Sequence, residues 1–461
     1  KSVHRDHIIS EQVNLSKHQG VSVLIFDQTC AAEKRRRRKR GQMHDPLQRI
    51  MINPEVCEGC GDCSMQSSCV SIEPLETKLG RKRKINQSTC NKDYTCLKGF
   101  CPSFVSVDAQ LQARTTSHKI EGLPDPKHKV SDGVSNIILT GIGGTGVLTV
   151  SAITAMAAHY EGKESTILDM TGLAQKGGAV WSHIKIYEKN VKAFSHKIAP
   201  ASANLFLACD AVVGTKPEIQ EVLSDKKTHS IINSDTIPVA DFVTNRDLDF
   251  KDDEVLKVID KTTKEIDITV PAIKIAENLC GDAIAANIMM LGVAYQLGHI
   301  PLEEKSIKFA IQLNGIGVEK NIYSFNLGRL YAFNPKDKIF KFLNSYKEVE
   351  QSSESILKDR LERLAIYDKK EIDFFNNKVN FTKELIKNEL ETEEIFKKTI
   401  KEIYRVIAVK DEYEVARMHL ETTKDMVSKQ FGEWKNLSFY LSPPFMSCLL
   451  YTSPSPRDRS I

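Results

Sequence analysis

The fold is decided by residues 136–159, which read NIILTGIGGTGVLTVSAITAMAAH. This stretch opens with a short apolar run at 136–140 that predicts a buried strand. A glycine-rich turn at 141–146 follows, and residues 147–159 have the apolar pattern of a helix with few breakers. A strand, a glycine turn and a helix in this order are typical of the first unit of an α/β domain. We expect such a domain to begin near Ser135.

The chain beyond this unit continues to alternate between strand and helix patterns. Short apolar runs predict four further strands, at residues 165–168, 205–208, 211–213 and 230–233. Asp282 can cap a long apolar helix that reaches Leu297, with Gly298 in the stop position, and Pro301 opens another helix through Leu313. This alternation predicts a doubly wound, mostly parallel sheet that helices cover on both faces.

The flanking segments have other patterns. Residues 21–26, VSVLIF, predict a buried strand, and residues 34–40 are seven consecutive basic residues. The basic run could be a nuclear or phosphate-binding tract, but the interpretation we favour is a solvated connector that charge repulsion keeps extended. Residues 122–129 contain two prolines and predict a linker. Residues 353–430 contain no glycine or proline and predict an all-helical region with amphipathic faces.

Seven cysteines lie between residues 57 and 101. The spacing Cys57-x2-Cys60-x2-Cys63 places three thiolates around one small turn, as three corners of a [4Fe–4S] cluster require. Cys101 is followed by Pro102, as the closing cysteine of bacterial ferredoxin runs is, and it supplies the expected fourth ligand. By analogy with two-cluster ferredoxins, the remaining cysteines would surround a second cluster. These are Cys69, Cys90 and Cys96.

Two other uses of these cysteines are possible. A zinc ribbon also uses Cys-x2-Cys pairs, but it needs two pairs, and a third cysteine three residues after the first pair is surplus to that design. A disulfide framework suits small secreted chains, whereas this sequence shows no secretory apolar segment and has scattered further thiols at Cys209, Cys280 and Cys448. Iron–sulfur binding in a reducing cytoplasm is the interpretation that we favour.

The glycine turn has the pattern Gly141-x-Gly143-x-x-Gly146, and Asp169 ends the next predicted strand, where a dinucleotide fold places its ribose-binding carboxylate. The glycines themselves indicate only that a backbone approaches another group closely. That group could be NAD, FAD, coenzyme A or another phosphate, or the turn could be tight packing. A second polar glycine loop lies at residues 171–180. The candidate cofactor-binding residues are Gly141, Gly143, Gly144, Gly146, Gln175, Gly177 and Gly178.

Composition limits the classes of function. The 461 residues can form two to four domains, and the net charge of +4 does not indicate a nucleic-acid binder. The longest apolar stretch, residues 283–297, is interrupted by polar residues and falls short of a membrane span. We therefore expect no membrane or nucleic-acid partner.

Seven motifs occur in the order found in one known family, and together they span roughly residues 1–445. The chain resembles the fused indolepyruvate ferredoxin oxidoreductases of the 2-oxoacid:ferredoxin oxidoreductase superfamily. The motifs are Asp27–Lys34 with its arginine run, Cys57–Cys63, Cys96–Pro102, Gly141–Gly146, Gln175–Gly178, Lys410–Arg417 and Phe439–Pro444.

The resemblance implies an activity and its cofactors. Thiamine diphosphate with Mg²⁺ would decarboxylate an arylpyruvate, [4Fe–4S] clusters would pass the electrons to ferredoxin, and coenzyme A would take the acyl group. It lowers the expectation of NAD, and it implies a cytoplasmic homo-oligomer. No Gly-Asp-Gly motif followed by an asparagine is present to hold thiamine diphosphate, so we expect a fragment that lacks most of that part and is inactive alone.

The resemblance also implies a domain plan, in which a small ferredoxin-like iron–sulfur module precedes an α/β gamma domain and an all-helical C-terminal region. The boundaries are 1–50 (tail of a thiamine domain and basic linker), 51–121 (iron–sulfur module), 130–335 (gamma domain), 336–445 (helical domain) and 446–461 (a non-native tail). Two alternatives to an enzyme fragment remain: a stand-alone ferredoxin-like electron carrier or adaptor, and a nucleic-acid-associated zinc protein that uses the basic run.

Overall fold

The computed structural model describes residues 2–98, 101–109, 120, 122–129, 133–172, 178–191, 195–235, 245, 247–248, 252–346, 352–386 and 392–441. The chain divides into two compact units. The first comprises Lys1–Leu47 with Asn91–Asp93, and the second comprises Gln48–Cys90 with Tyr94–Ile461.

The first unit is helical where it has regular structure. A 3-10 turn at Arg5–His7 leads into helix α1 at Ile8–Ser16, and helix α2 follows at Ala31–Lys39. The strand predicted at residues 21–26 is wrong, because this segment has no regular structure and Ile25 is 82% exposed. Its apolar residues favour a strand, but a strand needs a hydrogen-bonding neighbour, and the described residues of this unit include no other strand.

The extended connector predicted for the basic run is also wrong, because residues 34–39 lie within α2. Glu33 in the first turn of this helix explains how the positive charges are tolerated. Its carboxylate lies 3.6 Å from Arg36 and accepts a hydrogen bond from Nε of Arg37 at 3.1 Å. Charge pairs at i,i+3 and i,i+4 stabilise a helix. The negative charge of Glu33 also interacts favourably with the positive, N-terminal end of the helix dipole.

The second unit contains all eleven strands of the described residues. In chain order they are β1 Gln48–Ile52, β2 Ile72–Thr77, β3 Gly80–Ile85, β4 Phe104–Ala109, β5 Val134–Ile142, β6 Glu164–Thr171, β7 Ala179–Tyr187, β8 Leu205–Ala208, β9 His229–Asn233, β10 Glu265–Val270 and β11 Trp434–Phe439.

Helices connect and cover these strands. They are α3 Asp62–Ser67, α4 Val147–Tyr160, α5 Ala211–Gly214, α6 Pro217–Gln220, α7 Asp252–Thr262, α8 Ala272–Ile275, α9 Ala286–Gln296, α10 Glu304–Asn314, α11 Val318–Phe333, α12 Ser353–Tyr367, α13 Glu371–Leu385, α14 Thr392–Ile407 and α15 Glu412–Phe431. Short 3-10 helices lie at Thr95–Lys98, Ala283–Ala285 and Lys338–Tyr346, and a π-helical turn lies at Ala276–Cys280.

The largest sheet has six strands in the order β10-β9-β8-β5-β7-β6. The first four are parallel to one another, whereas β7 is antiparallel to both of its neighbours. Helices cover both faces, so the predicted mostly parallel α/β sheet is confirmed. On one face, α4 and α9 pack against the sheet in a core that also contains residues of α10 and α11, and on the other face a second core includes Phe206 of β8 and Ile259 of α7.

Three local features of this domain differ from the predictions. Residues 211–213 form helix α5 instead of a strand, because the Asp210 side chain accepts from the backbone amide of Val213 at 2.9 Å and caps the helix. Strands β7 and β10 were not predicted. The helix after Pro301 begins only at Glu304.

The cysteine-rich segment connects β1 to β4 of a smaller sheet, whose strand order is β1-β4-β11. This segment includes the antiparallel hairpin of β2 and β3. Strand β11 comes from the far end of the chain and pairs antiparallel with β4, which follows Cys101. Helix α15 packs on the same sheet through Val427 and Phe431. The C-terminal part of the chain thus supplies both a strand and a helix to this module.

Helices α12, α13 and α14 share a separate apolar core that includes Leu364, Phe375 and Ile400. This arrangement confirms the helical C-terminal region. None of the helices in the described part of the chain combines the length and apolarity needed to cross a bilayer.

Candidate functional site

Four cysteine thiols of the second unit form one electrostatic neighbourhood. Burial, with smaller contributions from the neighbouring thiol groups of Cys57, Cys101 and Cys60, raises the pKa of the Cys63 thiol to about 12. Burial also raises the pKa of Cys101, and Cys57 and Cys60 add to that rise. The structure therefore brings together the four cysteines that the spacing grouped. Their role as metal ligands stays a prediction.

Local hydrogen bonds shape the loop that carries the first three thiols. The amide of Cys57 donates to the carbonyl of Asn53 at 2.9 Å, and the amide of Gly59 donates to Sγ of Cys57 at 3.3 Å. Gly59 has φ +69°, and a Cβ there would lie 2.2 Å from the carbonyl oxygen of Arg81. Only glycine fits that position, so the loop can hold its thiols close to strand β3.

The spacing of the sulfurs bears on which metal they suit. No three of the cysteine sulfurs among the described residues lie within 4.8 Å of one another. Four thiolates on one zinc ion at about 2.3 Å would be separated by only about 3.8 Å. A cage of four irons holds its thiolates farther apart, because each binds a different iron.

The remaining cysteines of this segment line the same apolar core. Cys69, Cys90 and Cys96 are partly buried and pack against a cluster that contains Cys57 and Phe104. Their role as ligands of a second cluster stays a prediction.

Positive charge lies beside the four thiols. The Arg83 side chain is 1% exposed on strand β3, and the Cys63, Cys57 and Cys60 thiols favour its charged form, although burial lowers its pKa overall. Burial likewise lowers the pKa of Lys82, while Glu58 and Cys57 oppose that shift. A buried guanidinium offsets the negative charge that thiolates would bring.

Two residues of the C-terminal segment hold the loops that carry the four thiols. Lys410 opens one of the motifs of the family resemblance, whereas no sequence signal indicated His419. Nζ of Lys410 donates to the carbonyls of Glu55 at 2.6 Å and Val56 at 3.3 Å, just before Cys57. Nε2 of His419 lies 2.8 Å from the carbonyl oxygen of Pro102, just after Cys101. These contacts join positions far apart in the chain, so spacing within the cysteine segment could not reveal them.

The glycine turn and the second glycine loop meet at one edge of the large sheet. The amide of Gly143 donates to the carbonyl of Gly178 at 2.7 Å, which joins the two loops directly. Gly144 and Gly146 have φ of +86° and +95°, a conformation that favours glycine. Gln175 and Gly177 lie outside the described residues.

Tight packing explains the first glycine of the turn. A Cβ on Gly141 would lie 2.4 Å from Cγ2 of Val147, so this position permits the close approach of helix α4 to strand β5. Nδ2 of Asn287 donates to the carbonyl of Thr145 at 2.9 Å and ties the turn to helix α9. By contrast, a Cβ on Gly146 would meet no atom within 4 Å, so space is open at the start of α4.

The position of Asp169 argues against a dinucleotide. A dinucleotide fold sets its first two strands side by side and uses the acidic residue of the second. Here antiparallel β7 separates β5 from β6, and the Asp169 carboxylate accepts hydrogen bonds from Ser151 at 3.3 Å and from Ser182. The carboxylate therefore serves contacts within the sheet and helix α4.

Comparison with known families agrees with this geometry. Residues 136–331 match the model of a family described as pyruvate ferredoxin/flavodoxin oxidoreductase. Residues 354–461 match a second model, described as a family of unknown function (DUF6537). Residues 136–331 are therefore a domain of the pyruvate ferredoxin/flavodoxin oxidoreductase family.

Two curated relatives support the same assignment. Indolepyruvate oxidoreductase subunit IorB of Archaeoglobus fulgidus is 26% identical over 196 residues, which cover 42% of this chain and 92% of that protein. Ketoisovalerate oxidoreductase subunit VorA of Methanothermobacter marburgensis is 28% identical over 214 residues, which cover 46% of this chain and 39% of that protein. The resemblance indicated by the sequence motifs is confirmed for this domain. Among solved structures, the pyruvate oxidoreductase subunit PORC of Thermotoga maritima, at 20% identity, aligns with a TM-score of 0.31 over 43% of this chain and 96% of that chain.

Proposed function

We propose that this chain is part of an arylpyruvate:ferredoxin oxidoreductase whose cysteine module carries electrons from the site of decarboxylation to ferredoxin. The observation that carries the proposal is the convergence of the Cys57, Cys60, Cys63 and Cys101 thiols in the chain that also holds the oxidoreductase-family domain. Such a pairing fits an enzyme that oxidises its substrate in one-electron steps.

The residues of the module fit a [4Fe–4S] cluster on structural grounds. Cys57, Cys60, Cys63 and Cys101 would hold it, and when bound it would accept and release single electrons. Cys57 is buried, Cys63 and Cys101 are partly buried and Cys60 is exposed, and Arg83 supplies a compensating charge. Lys410 and His419 keep the two loops in place. Cys69, Cys90 and Cys96 are the proposed ligands of a second cluster.

The proposed substrates come from the relatives and the glycine loops. The curated relatives include subunits named for indolepyruvate and ketoisovalerate, which supports a 2-oxoacid with a bulky side chain. We assign coenzyme A to the place where Gly143 meets Gly178. Open space there and the partial positive charge at the N-terminus of helix α4 suit a phosphate group. In the complete enzyme, thiamine diphosphate and Mg²⁺ would perform the decarboxylation, and we expect a cytoplasmic homo-oligomer.

Replacement of one proposed ligand tests the electron-transfer part. We expect Cys60→Ser, in protein purified without oxygen, to lose most of the visible absorption and iron of the wild type, because a serine oxygen is a poor substitute for thiolate. Cys30→Ser is the matched control, since Cys30 is an exposed thiol of the first unit. Equal iron content and equal spectra in Cys60→Ser and the wild type would overturn the ligand assignment.

A further inference from the structure

A second group of metal-type donors lies at the β10 edge of the large sheet. His229 begins strand β9, Asp267 lies on β10, and His299 follows helix α9. One donor atom from each lies within 4.8 Å of those from the other two, and this is the one such group among the described residues. The oxidoreductase activity proposed above uses none of them.

Distances within this group are short and converge on one carboxylate. Nδ1 of His229 lies 3.1 Å from Oδ1 and 3.2 Å from Oδ2 of Asp267. Nε2 of His299 lies 2.8 Å from Oδ2 of the same residue. His299 is 4% exposed, and the two imidazole rings lie 4.8 Å apart. The three side chains therefore face one small volume.

The backbone of β10 is irregular at this point. Glu265 and Ile266 pair with His229 and Ser230, but the register then shifts, and Ile268 pairs with Ile231. Asp267 is the residue without a partner on β9. A bulge of this kind re-aims a side chain, and bulges are frequent next to functional sites. Here the irregularity places the carboxylate between the two histidines.

Three ligands on one zinc ion at about 2.1 Å would be separated by roughly 3.4 Å in a tetrahedral arrangement. Nδ1 of His229 and Nε2 of His299 lie 3.2 and 2.8 Å from Oδ2 of Asp267, so each of these two separations needs to open by only a few tenths of an ångström to accommodate an ion. One nitrogen of each histidine lies within 4.8 Å of the other. Two imidazoles with one carboxylate are a donor set that zinc uses in sites with a fourth, open position.

Two charged neighbours would modulate binding. The Glu265 side chain is 60% exposed and its Oε2 lies 3.9 Å from Nδ1 of His229, so it can swing in as a fourth donor. Nζ of Lys264 lies 3.5 Å from Nε2 of His229 and would repel a cation. Lys264 is exposed, so its ammonium can move away at little cost.

We propose that His229, Asp267 and His299 form a binding site for a single divalent ion of the zinc class, separate from the cysteine module. The ligand atoms are Nδ1 of His229, Nε2 of His299 and a carboxylate oxygen of Asp267. The ion would clamp the β9–β10 edge to the end of helix α9.

Cobalt titration of the whole chain tests this site and distinguishes it from the cysteines. The protein is treated with a chelator under anaerobic conditions and titrated with Co²⁺, and affinity for Zn²⁺ is then measured by competition. Thiolate-bound Co²⁺ gives intense near-ultraviolet charge-transfer bands, whereas nitrogen and oxygen ligands give only weak visible bands. We expect one equivalent of cobalt that produces the weak bands alone.

Variants in and beside the site should change its metal affinity in opposite directions. Asp267→Asn and His229→Gln should lower the affinity for this equivalent of cobalt on the order of 100-fold and leave the thiolate bands unchanged. Lys264→Ala should tighten it by roughly threefold to tenfold, since a repelling charge is removed. His196→Gln, at an exposed histidine, is the matched control.

The Lys264→Ala result separates a metal site from a purely structural ion pair. The expected gain in metal affinity of Lys264→Ala does not depend on a loss of packing, and a purely structural ion pair predicts no such gain. The proposal is overturned if the wild type takes up no cobalt besides that bound to thiolate. It is also overturned if Asp267→Asn, His229→Gln and the wild type bind the ion equally.

Discussion

The imidazole of His419 donates from Nε2 to the carbonyl oxygen of Pro102 at 2.8 Å, across 317 positions of the chain. Because a carbonyl can only accept, this contact places the ring proton on Nε2. Nδ1 then accepts from the Thr423 hydroxyl at 2.9 Å. Burial lowers the pKa of His419, and the bond to Pro102 only partly opposes that shift. A neutral histidine from the C-terminal helix therefore fixes the loop that carries Cys101.

Replacement of this histidine should loosen the cysteine module. We expect His419→Ala to lower the free energy of unfolding by about 1–3 kcal/mol, because buried polar partners lose their hydrogen bonds. Iron should also be released faster on exposure to a chelator. Urea unfolding and iron release measure the two effects. Leu420→Ala, at a neighbouring side chain that is 80% exposed, should change neither, and equal behaviour of both variants would contradict the assigned role.

Lys410 should support the other loop in the same way. Its ammonium binds the carbonyls of Glu55 and Val56 and lies 2.9 Å from Oε1 of Glu58. We expect Lys410→Met to destabilise the module by about 1–3 kcal/mol, since two carbonyls and a carboxylate lose a charged partner. The comparison is Lys424→Met, at an exposed lysine of helix α15. If chelator releases iron at the same rate from both variants, Lys410 does not hold the loop.

The buried guanidinium of Arg83 should raise the reduction potential of the proposed cluster. An added electron is stabilised by a nearby positive charge, so Arg83→Met should lower the potential by on the order of 50–100 mV. Redox titration followed by EPR gives the value. Lys84→Met removes a charge from the next residue, which pairs with Glu73 at 3.3 Å. A shift as large in Lys84→Met would show that the effect is not specific to Arg83.

Glu277 should make stability depend on pH. Burial raises the pKa of its carboxyl to about 7, and the charge of Glu73 adds to that rise. Nδ2 of Asn86 donates to Glu277 at 2.7 Å and to Glu73 at 2.8 Å.

Because of this raised pKa, between pH 4.5 and about pH 7 the native state holds a proton on Glu277 that the unfolded state has released. This contribution to the free energy of unfolding is complete below pH 4.5 and is lost as the pH rises to about 7. Its size is about 3 kcal/mol. Glu277→Gln should abolish that slope and be the more stable protein at pH 8, which urea unfolding at several pH values measures. An unchanged slope would mean that Glu277 is ionised in the native state.

The parts of the fold that rest on local patterns were predictable. Strand β5, the glycine turn and helix α4 follow one another in the chain, so apolar periodicity and glycine spacing were sufficient. Strand β7 was missed, and its insertion between β5 and β6 is a matter of long-range pairing that sequence spacing does not encode. The same holds for β11, whose partner is the strand after Cys101.

The candidate site shows the same division. Spacing alone grouped Cys57, Cys60 and Cys63, and the proline after Cys101 suggested the fourth thiol. Of the supporting residues, Lys410 lies in a family motif that did not indicate its contacts, and His419 lies in a segment whose composition indicated only amphipathic helix. Their partners are backbone carbonyls, which leave no trace in the sequence. Basic helix α2 was missed because one glutamate, Glu33, offset the repulsion that the run of like charges suggested.

We propose that the thiols of Cys57, Cys60, Cys63 and Cys101 hold an iron–sulfur cluster that relays single electrons. Iron and acid-labile sulfide analysis of the anaerobically purified chain, combined with EPR after reduction by dithionite, tests it most directly. We predict about four irons and four sulfides for each cluster and a paramagnetic signal that appears on reduction. A colourless protein with neither sulfide nor a signal would show that these thiols hold no iron–sulfur cluster.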